Sequence, residues 1–340
     1  MFGGLRFVLS IGVVISHLWA GLSHWSAVYA VFGFFVLSGY LMTLVLHRSY
    51  GFTPAGQLRY LSNRALRIFP VYWVVLALSL AAVPVIGSSE NPIRVFLPQV
   101  PVEWLQNIFI FGLDSGAIKI IPPAWTLYTE FVFYIAMGLG LSLNRWTVAV
   151  WLAVSLAYTV WLAAGAESFA PLYYAILPAS LPFALGAGIY LLLGAQDWRL
   201  PAWVVRTVVA VFVLHLFGAD KVWGKEGIFF GGFYLSLLLS AAAVAVLAGR
   251  APQGRAERID RFLGDISYPV FLVHWVVAGL AVALFGMKSG GGLFFACLPV
   301  IMLVSAALHR FTEIPVNRYR DAIRAARRPA AAVPAPVSQR

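Results

Sequence analysis

The chain has 340 residues, of which 61% are hydrophobic and only 11% are charged. Soluble domains usually carry about a quarter of charged residues, so this composition excludes a water-soluble protein and predicts one embedded in a bilayer. The formal net charge of +11 would favour nucleic-acid binding in a soluble protein, but in a membrane protein it bears first on topology, and we expect no nucleic-acid partner. The single cysteine, Cys297, excludes an internal disulfide framework and a cysteine metal cluster, and no other metal-ligand spacing appears.

Ten apolar runs are each long enough, at about 20 residues, to cross a bilayer as a helix. They lie at roughly 5–22, 27–47, 69–87, 124–143, 146–164, 171–194, 201–218, 227–248, 267–286 and 291–309. The run at 103–113 is too short to span and carries Glu103, so we interpret it as interfacial or re-entrant. The sequence therefore predicts an all-α polytopic membrane protein with about ten transmembrane helices.

The basic residues predict the orientation of these helices. With the N-terminus in the cytoplasm, 19 of the 24 basic residues fall on the cytoplasmic side, as the positive-inside rule requires. The five that remain outside are Arg94, Lys119, Lys221, Lys225 and Lys288. We expect both termini to be cytoplasmic, with one integral-membrane domain over residues 1–320 and a disordered Ala/Pro-rich tail at 329–340.

The first predicted helix carries Arg6 and His17 in an otherwise apolar run. Eleven residues of α-helix rise ~16 Å and turn to within ~20° of the starting direction, so both side chains point the same way. Ionisable residues in a spanning helix are costly and usually face a cavity or a partner. For Arg6 alone an anchor at the headgroups is the simpler interpretation. For His17, a functional role is favoured over a hydrogen bond to a neighbouring helix.

The stretch RYLSNRALRIFPVYW, before the third predicted helix, contains Arg64 and Arg67. Residues three apart share a helix face, so the two guanidinium groups can grip one anion together, and their geometry suits phosphate. Positive-inside anchoring and binding of anionic membrane lipid explain the same residues. The spacing alone leaves these interpretations open.

The fourth predicted helix begins with PPAWTLYTEFVFYI and carries Glu130 about a turn and a half into the membrane. His17 is expected at a similar depth. A carboxylate and an imidazole at one level can form a pair in which the carboxylate holds the tautomer while the imidazole takes a proton. The alternatives are a structural hydrogen bond and the proton-relay carboxylate of a transporter.

Two later stretches carry further polar residues. GDISYPVFLVHW places Tyr268 at the cytoplasmic interface and His274 near mid-membrane, and HRFTEIPVNRYR contains Glu313. Tyr268 fits an aromatic belt, and Glu313 fits an ion pair with a nearby arginine. For His274, helix packing and a functional role are equally supported.

From Leu5 to about Arg320 the chain resembles the membrane acyltransferase family usually called acyltransferase type 3. Six motifs in family order carry the resemblance: the Arg6–His17 pair, FFVLSGYL, Arg64 and Arg67 before Pro70 and Tyr72, WTLYTEFVFY, ISYPVFLVHW and EIPVNR. Members O-acylate sugars of exopolysaccharide, O-antigen, peptidoglycan and secondary metabolites. Many members carry an aspartate two residues before the FFVLSG run, where this chain has Phe32, so donor or acceptor handling is expected to differ.

The resemblance implies an acyl-CoA donor, with acetyl-CoA expected, on the cytoplasmic side, and a sugar or glycan acceptor on the outer side. It implies that Arg64 and Arg67, assisted by Arg6, grip the donor phosphates. It makes His17 the general base on the sugar hydroxyl, with Glu130 orienting it or sharing the proton work. It also points to substrate-channel positions at Tyr72, Trp125, Tyr268 and His274.

The implied location is the bacterial inner membrane, with membrane lipid as a partner, and homo-oligomerisation stays open. A proton-coupled transporter or flippase of a polysaccharide-export system is the rival function, because ten helices with intramembrane His and Glu suit a carrier. Against a carrier, no clear internal repeat is visible. A third hypothesis is that the protein is a purely structural partner in a polysaccharide-export complex. Under this hypothesis Arg64, Arg67 and His17 could be replaced without loss of function.

Overall fold

The structure is a computed structural model that describes residues 2–87, 93, 95–114, 116–166, 168–193, 200–250 and 252–326. Within these ranges the chain is built from helices, turns and loops, and it contains no strand. The predicted disordered tail at 329–340 lies outside the described residues.

The α-helices, in chain order, are α1 Gly3–Leu18, α2 Ser26–Val45, α3 Pro54–Ile86, α4 Pro101–Phe109, α5 Ala124–Ala136, α6 Arg145–Gly165, α7 Ala170–Tyr174, α8 Ser180–Leu193, α9 Ala202–Val222, α10 Gly224–Gly227, α11 Phe233–Ala248, α12 Gly254–Phe285, α13 Gly291–Leu308 and α14 Ile314–Ala326. Wider π-helical turns extend several of them at Leu46–Tyr50, Met137–Leu141, Ile228–Gly232 and His309–Glu313, and a 3₁₀ turn at Leu177–Ala179 precedes α8.

Eight helical segments in the described part of the chain are long and apolar enough to cross a membrane. They are Ser26–Tyr50, Pro54–Ile86, Ala124–Leu141, Arg145–Gly165, Ala202–Val222, Ile228–Ala248, Gly254–Phe285 and Gly291–Arg320. Two shorter apolar helices, Gly3–Leu18 and Leu177–Leu192, coincide with the first and sixth predicted runs. The all-helical membrane fold is therefore confirmed, while the count of ten and the orientation stay predictions. The 103–113 stretch forms only the nine-residue α4, which is too short to span.

Two helices begin earlier than the apolar runs indicated. Helix α3 starts at Pro54, with Thr53 as its N-cap and proline in the first turn, so Arg64 and Arg67 lie inside a 33-residue helix. Helix α12 starts at Gly254 and has 32 residues. An apolar window detects only the part of a helix that is compatible with lipid, so the polar turns that continue the same helix were missed.

Helices α1 and α12 lie side by side and run parallel in a fixed register. The Gly4 amide donates to Asp260 Oδ1 (2.9 Å), and Ser10 Oγ donates to the carbonyl oxygen of Ser267 (2.8 Å). A Cβ at Gly264 would stand 2.9 Å from Gly3 Cα, so glycine is what allows the two backbones to approach. His17 lies seven residues after Ser10, and His274 lies seven residues after Ser267. Because the register between the two helices is constant, His17 therefore faces His274.

Helix α2 packs against α8 through another close approach. A Cβ at Gly39 would overlap the carbonyl oxygen of Phe183, and a Cβ at Gly186 would overlap that of Val36. Small residues at such crossings let helix backbones touch. In a bilayer the hydrophobic effect does not drive helices together, so this close packing stabilises their association. Ser38, the neighbour of Gly39, lines a cavity within the bundle.

We predict that Gly186→Ala destabilises the protein by about 1–3 kcal/mol, because its methyl group would have to displace the α2 backbone. The measurement is the thermal unfolding midpoint in detergent. Gly188→Ala on the same helix is the matched control, since its Cβ would have Val148 Cγ1 as its nearest neighbour at 4.0 Å. Equal midpoints for the two variants would contradict close α2–α8 packing.

Candidate active site

A cavity between α1, α2, α3, α5 and α12 collects most of the charged residues that the sequence singled out. It encloses about 760 Å³ of empty space, part of it continuous with the outside. Its polar lining consists of Arg6, Ser38, Arg64, Arg67, Thr126, Glu130, Tyr134, Ser267 and Tyr268. We call it the arginine cavity.

The guanidinium groups of this cavity have few partners in the protein. Buried Arg64 donates through Nη2 to Asn63 Oδ1 (2.7 Å), while its Nε is buried without a hydrogen-bond partner. The side chains of Arg6 and Arg67 have no hydrogen-bond or ion-pair partner among the described residues. Among the described residues of this lining, three cations face one carboxylate, Glu130. Desolvated cations in such excess favour an anionic ligand.

Glu130 is hydrogen-bonded to a side chain of α2. Its Oε1 accepts a hydrogen bond from Ser38 Oγ (2.7 Å), and Tyr134 Oη lies 3.5 Å from the same hydroxyl. Ser38 belongs to the FFVLSGYL motif, and our sequence reasoning did not single it out. The sequence did contain a signal for this contact. Ser38 is a lone hydroxyl in an apolar run, and such a group needs a hydrogen-bond partner in the membrane.

A second cavity lies next to the first and contains His17. It has about 920 Å³ of empty space, part of it continuous with the outside, and its lining includes Lys119, Trp125, Tyr173, Tyr174 and Trp275. We call it the histidine cavity. Val31, Thr126 and Phe271 line both cavities, so the two spaces adjoin at these three residues.

His17 and His274 form a hydrogen-bonded chain that ends on the backbone. Nδ1 of His17 lies 2.8 Å from Nε2 of His274, and Nδ1 of His274 lies 2.8 Å from the carbonyl oxygen of Phe271. His274 is fully buried, and the rings of Trp275 and His17 meet edge-to-face at a centroid distance of 5.3 Å.

The carbonyl at the end of this chain determines the tautomers. A carbonyl oxygen only accepts, so Nδ1 of His274 carries a proton, and in the neutral ring Nε2 must then accept. Nδ1 of His17 is therefore the donor between the two rings. This leaves Nε2 of His17 with a free lone pair, which is the form that a general base requires.

The sequence left open whether His17 and Glu130 touch, and no hydrogen bond joins them among the described residues. His17 is paired with His274, and Glu130 is paired with Ser38 in the other cavity. Depth explains the difference, since Glu130 shares a cavity with Arg6, which is ~16 Å along α1 from His17. The group that orients His17 is His274.

The remaining predicted channel residues fall in three places. Trp125 lines the histidine cavity, and Tyr268 lines the arginine cavity while donating to the carbonyl oxygen of Ile68 (3.0 Å). Tyr72 is fully buried, lines neither cavity and donates to the carbonyl oxygen of Asn107 (2.6 Å), so it joins α3 to α4. Among the described residues, no three His, Cys, Asp or Glu side chains come together as a metal site.

Phe32, where the sequence departs from the family pattern, is buried behind the histidine cavity. Its ring stacks on Tyr173 at a centroid distance of 5.9 Å and meets Phe233 edge-on at 4.6 Å. Tyr173 in turn contacts Trp125 at 5.0 Å. Phe32 thus supports the aromatic wall of that cavity.

Comparison with known proteins agrees with these motifs. Residues 2–310 match the family described as acyltransferase domain. The exopolysaccharide production protein ExoZ of Rhizobium meliloti (strain 1021) is 28% identical over 300 residues, which cover 84% of this chain and 88% of that protein. The putative membrane-bound transacylase BcsY of Komagataeibacter xylinus is 28% identical over 300 residues, which cover 82% of this chain and 74% of that protein. No solved structure matches the chain.

The family match extends over nearly all of the helical bundle and includes both cavities. The same residues that carry the resemblance in the sequence, Arg6, His17, Arg64, Arg67 and Glu130, line these cavities. The chain therefore belongs to the acyltransferase type 3 family and is a multi-pass membrane acyltransferase.

Proposed function

We propose that the protein transfers an acyl group, most simply acetyl, from acyl-CoA to a hydroxyl of a sugar in a cell-surface polysaccharide or lipid-linked glycan. The observation that carries the proposal is the junction of a cation-rich cavity with one that presents an oriented histidine. The name of the relative ExoZ, an exopolysaccharide production protein, supports a sugar acceptor.

The donor phosphates are assigned to the arginine cavity. Arg6 and Arg67 lack protein partners among the described residues, and Arg64 retains a buried, unpaired Nε. Phosphate oxygens accept charge-assisted hydrogen bonds from guanidinium groups in bidentate geometry. The acyl-pantetheine arm would run from there along the face of α1 that carries Arg6 and His17, over the ~16 Å that separates them.

Transfer takes place where the cavities adjoin. The sugar hydroxyl oxygen attacks the thioester carbonyl carbon while Nε2 of His17 takes the hydroxyl proton, and His274 holds the His17 ring through Nδ1–H. The tetrahedral intermediate collapses, the carbon–sulfur bond breaks, and the proton passes from His17 to the departing thiolate. The products are the sugar ester and CoA with a free thiol. The apolar side chains of Val31 and Phe271 at the junction limit hydrolysis of the thioester by water.

Glu130 is assigned to the donor side. It accepts a hydrogen bond from Ser38 and lines the cavity with three guanidinium groups, whose mutual repulsion its negative charge reduces. It is a positioning residue for the arginines in this mechanism, and His17 does the proton transfer.

The direction of transfer follows from the positive-inside distribution of basic residues. The N-terminal end of α1, near Arg6, would face the cytoplasm of a bacterial inner membrane, where acyl-CoA is available. The end near His17 would face the outer side, where the glycan is presented. A carrier, the rival function, needs no acyl-CoA and leaves its cargo unmodified, so donor binding and a covalent product separate the two.

We predict that His17→Gln lowers acyl transfer by at least about 100-fold, because glutamine cannot take the hydroxyl proton. Transfer is measured as radiolabel moved from acetyl-CoA to glycan in membranes that contain the acceptor. Acetyl-CoA affinity of the purified variant should match the wild type. His24→Gln is the matched control, since His24 is exposed and lines neither cavity. Retained transfer in His17→Gln would refute the general-base role.

We predict that Arg67→Ala weakens acetyl-CoA binding by about 10- to 100-fold, the loss expected for charge-assisted hydrogen bonds to phosphate. Binding is measured by calorimetry on the detergent-solubilised protein. Arg59→Ala on the same helix is the control, because Arg59 is exposed and its Nε donates to the Ala55 carbonyl oxygen. Unchanged affinity in Arg67→Ala would overturn the phosphate assignment, and a wild type that binds no acyl-CoA would favour the carrier.

A further inference from the structure

The histidine cavity has an aromatic wall. Trp125 meets Tyr173 at a centroid distance of 5.0 Å and Tyr174 at 5.3 Å, and Phe32 packs behind Tyr173. Trp275 completes the wall beside His17. Fixed aromatic rings in a concave site offer flat apolar surfaces, to which the C–H faces of pyranose rings are complementary.

Among the described residues that line the cavity, one is a cation. Lys119 is in the segment between α4 and α5, is partly buried, and lines the cavity together with His17. Its Nζ donates to the carbonyl oxygen of Ala117 (2.8 Å), which uses one of three N–H donors. Among the described residues that line the cavity, none is a carboxylate.

The surroundings of Lys119 leave its charge incompletely compensated. Burial lowers the pKa of Lys119, and the nearby Asp114 carboxylate acts in the opposite direction. Asp114 is exposed and is not within ion-pair distance of Nζ among the described contacts; its Oδ1 accepts a hydrogen bond from the Gly116 amide (3.0 Å). Two of the three N–H donors of Nζ have no partner among the described residues, and such a partly desolvated ammonium group gains from an anion placed in the cavity.

We propose that the acceptor is a glycan that carries an anionic group, a carboxylate or a phosphate, close to the hydroxyl that is acylated, and that Lys119 selects it. The aromatic wall holds the sugar ring, Lys119 binds the anion, and His17 meets the hydroxyl. This inference rests on the proposed function, since it names the acceptor class of the same site. A neutral glycan would pack against the wall but leave the ammonium group without an anionic partner, so it would bind less well.

The test compares matched charged and neutral sugars. A tetrasaccharide of alternating glucuronate and N-acetylglucosamine, and the same compound with its carboxylates reduced to alcohols, are titrated into the protein in phosphatidylcholine nanodiscs. Glucose 1-phosphate and glucose form a second pair, which separates phosphate from carboxylate recognition. Acetyl-CoA is titrated into each sample as a separate measure of the donor site and of folding.

We expect the wild type to bind at least one charged sugar about tenfold or more tightly than its neutral partner. Lys119→Gln should bring that ratio close to one, and Lys119→Arg should retain it. Lys288→Gln is the matched control and should behave as wild type, because Lys288 is exposed in the segment between α12 and α13 and lines neither cavity. All variants should bind acetyl-CoA as the wild type does.

Equal affinities for the charged and neutral sugars in the wild type, or a preference that survives in Lys119→Gln, would overturn the inference while leaving the donor site intact. In parallel nanodiscs that also contain phosphatidylglycerol, binding of that lipid that depends on Lys119, with no preference between the sugars, would assign the lysine to a lipid headgroup and also overturn the inference. Failure of the wild type to bind acetyl-CoA would instead refute the proposed function.

Discussion

The parallel packing of α1 against α12 in a fixed register is the constraint on which the position of His17 in the site depends. Glycine contacts and the Gly4–Asp260 and Ser10–Ser267 hydrogen bonds fix the register, and the same register brings His17 to His274. A backbone carbonyl then ends the chain, and because it only accepts, it sets the direction of both ring hydrogen bonds. Helix packing, and not an ionised partner, thereby leaves one nitrogen of His17 free to act as a base.

The site also separates its charges. Three arginines and Glu130 line one cavity, and His17 lines another that contains aromatic rings and a lysine. Charges buried in a membrane protein are costly and are retained where they line a cavity or meet a partner. A cavity that concentrates guanidinium groups suits a polyanionic donor, and one with an aromatic wall suits a sugar. The junction of the two is where a thioester and a hydroxyl can meet while water is kept out.

Much of this could be predicted from the sequence, because apolar runs and helical periodicity are local properties. They indicated the helical membrane fold, the shared face of Arg6 and His17, and the helical spacing of Arg64 and Arg67. The partner of His17 could not be predicted in the same way, since it lies on a helix distant in sequence and depends on glycine contacts between helices. Ser38 and the aromatic wall that Phe32 supports were missed for the same reason, as both act through tertiary contacts.

The central claim is the tautomer of His17, and nitrogen-15 NMR of histidine-labelled protein in lipid measures it directly. Comparison with His17→Gln identifies the His17 signals. At neutral pH, the account predicts that Nδ1 of His17 carries the proton, that Nε2 does not, and that His274→Phe abolishes this preference. A His17 ring protonated at Nε2 alone, in the folded wild type, would contradict the orientation of the histidine pair and with it the assigned base.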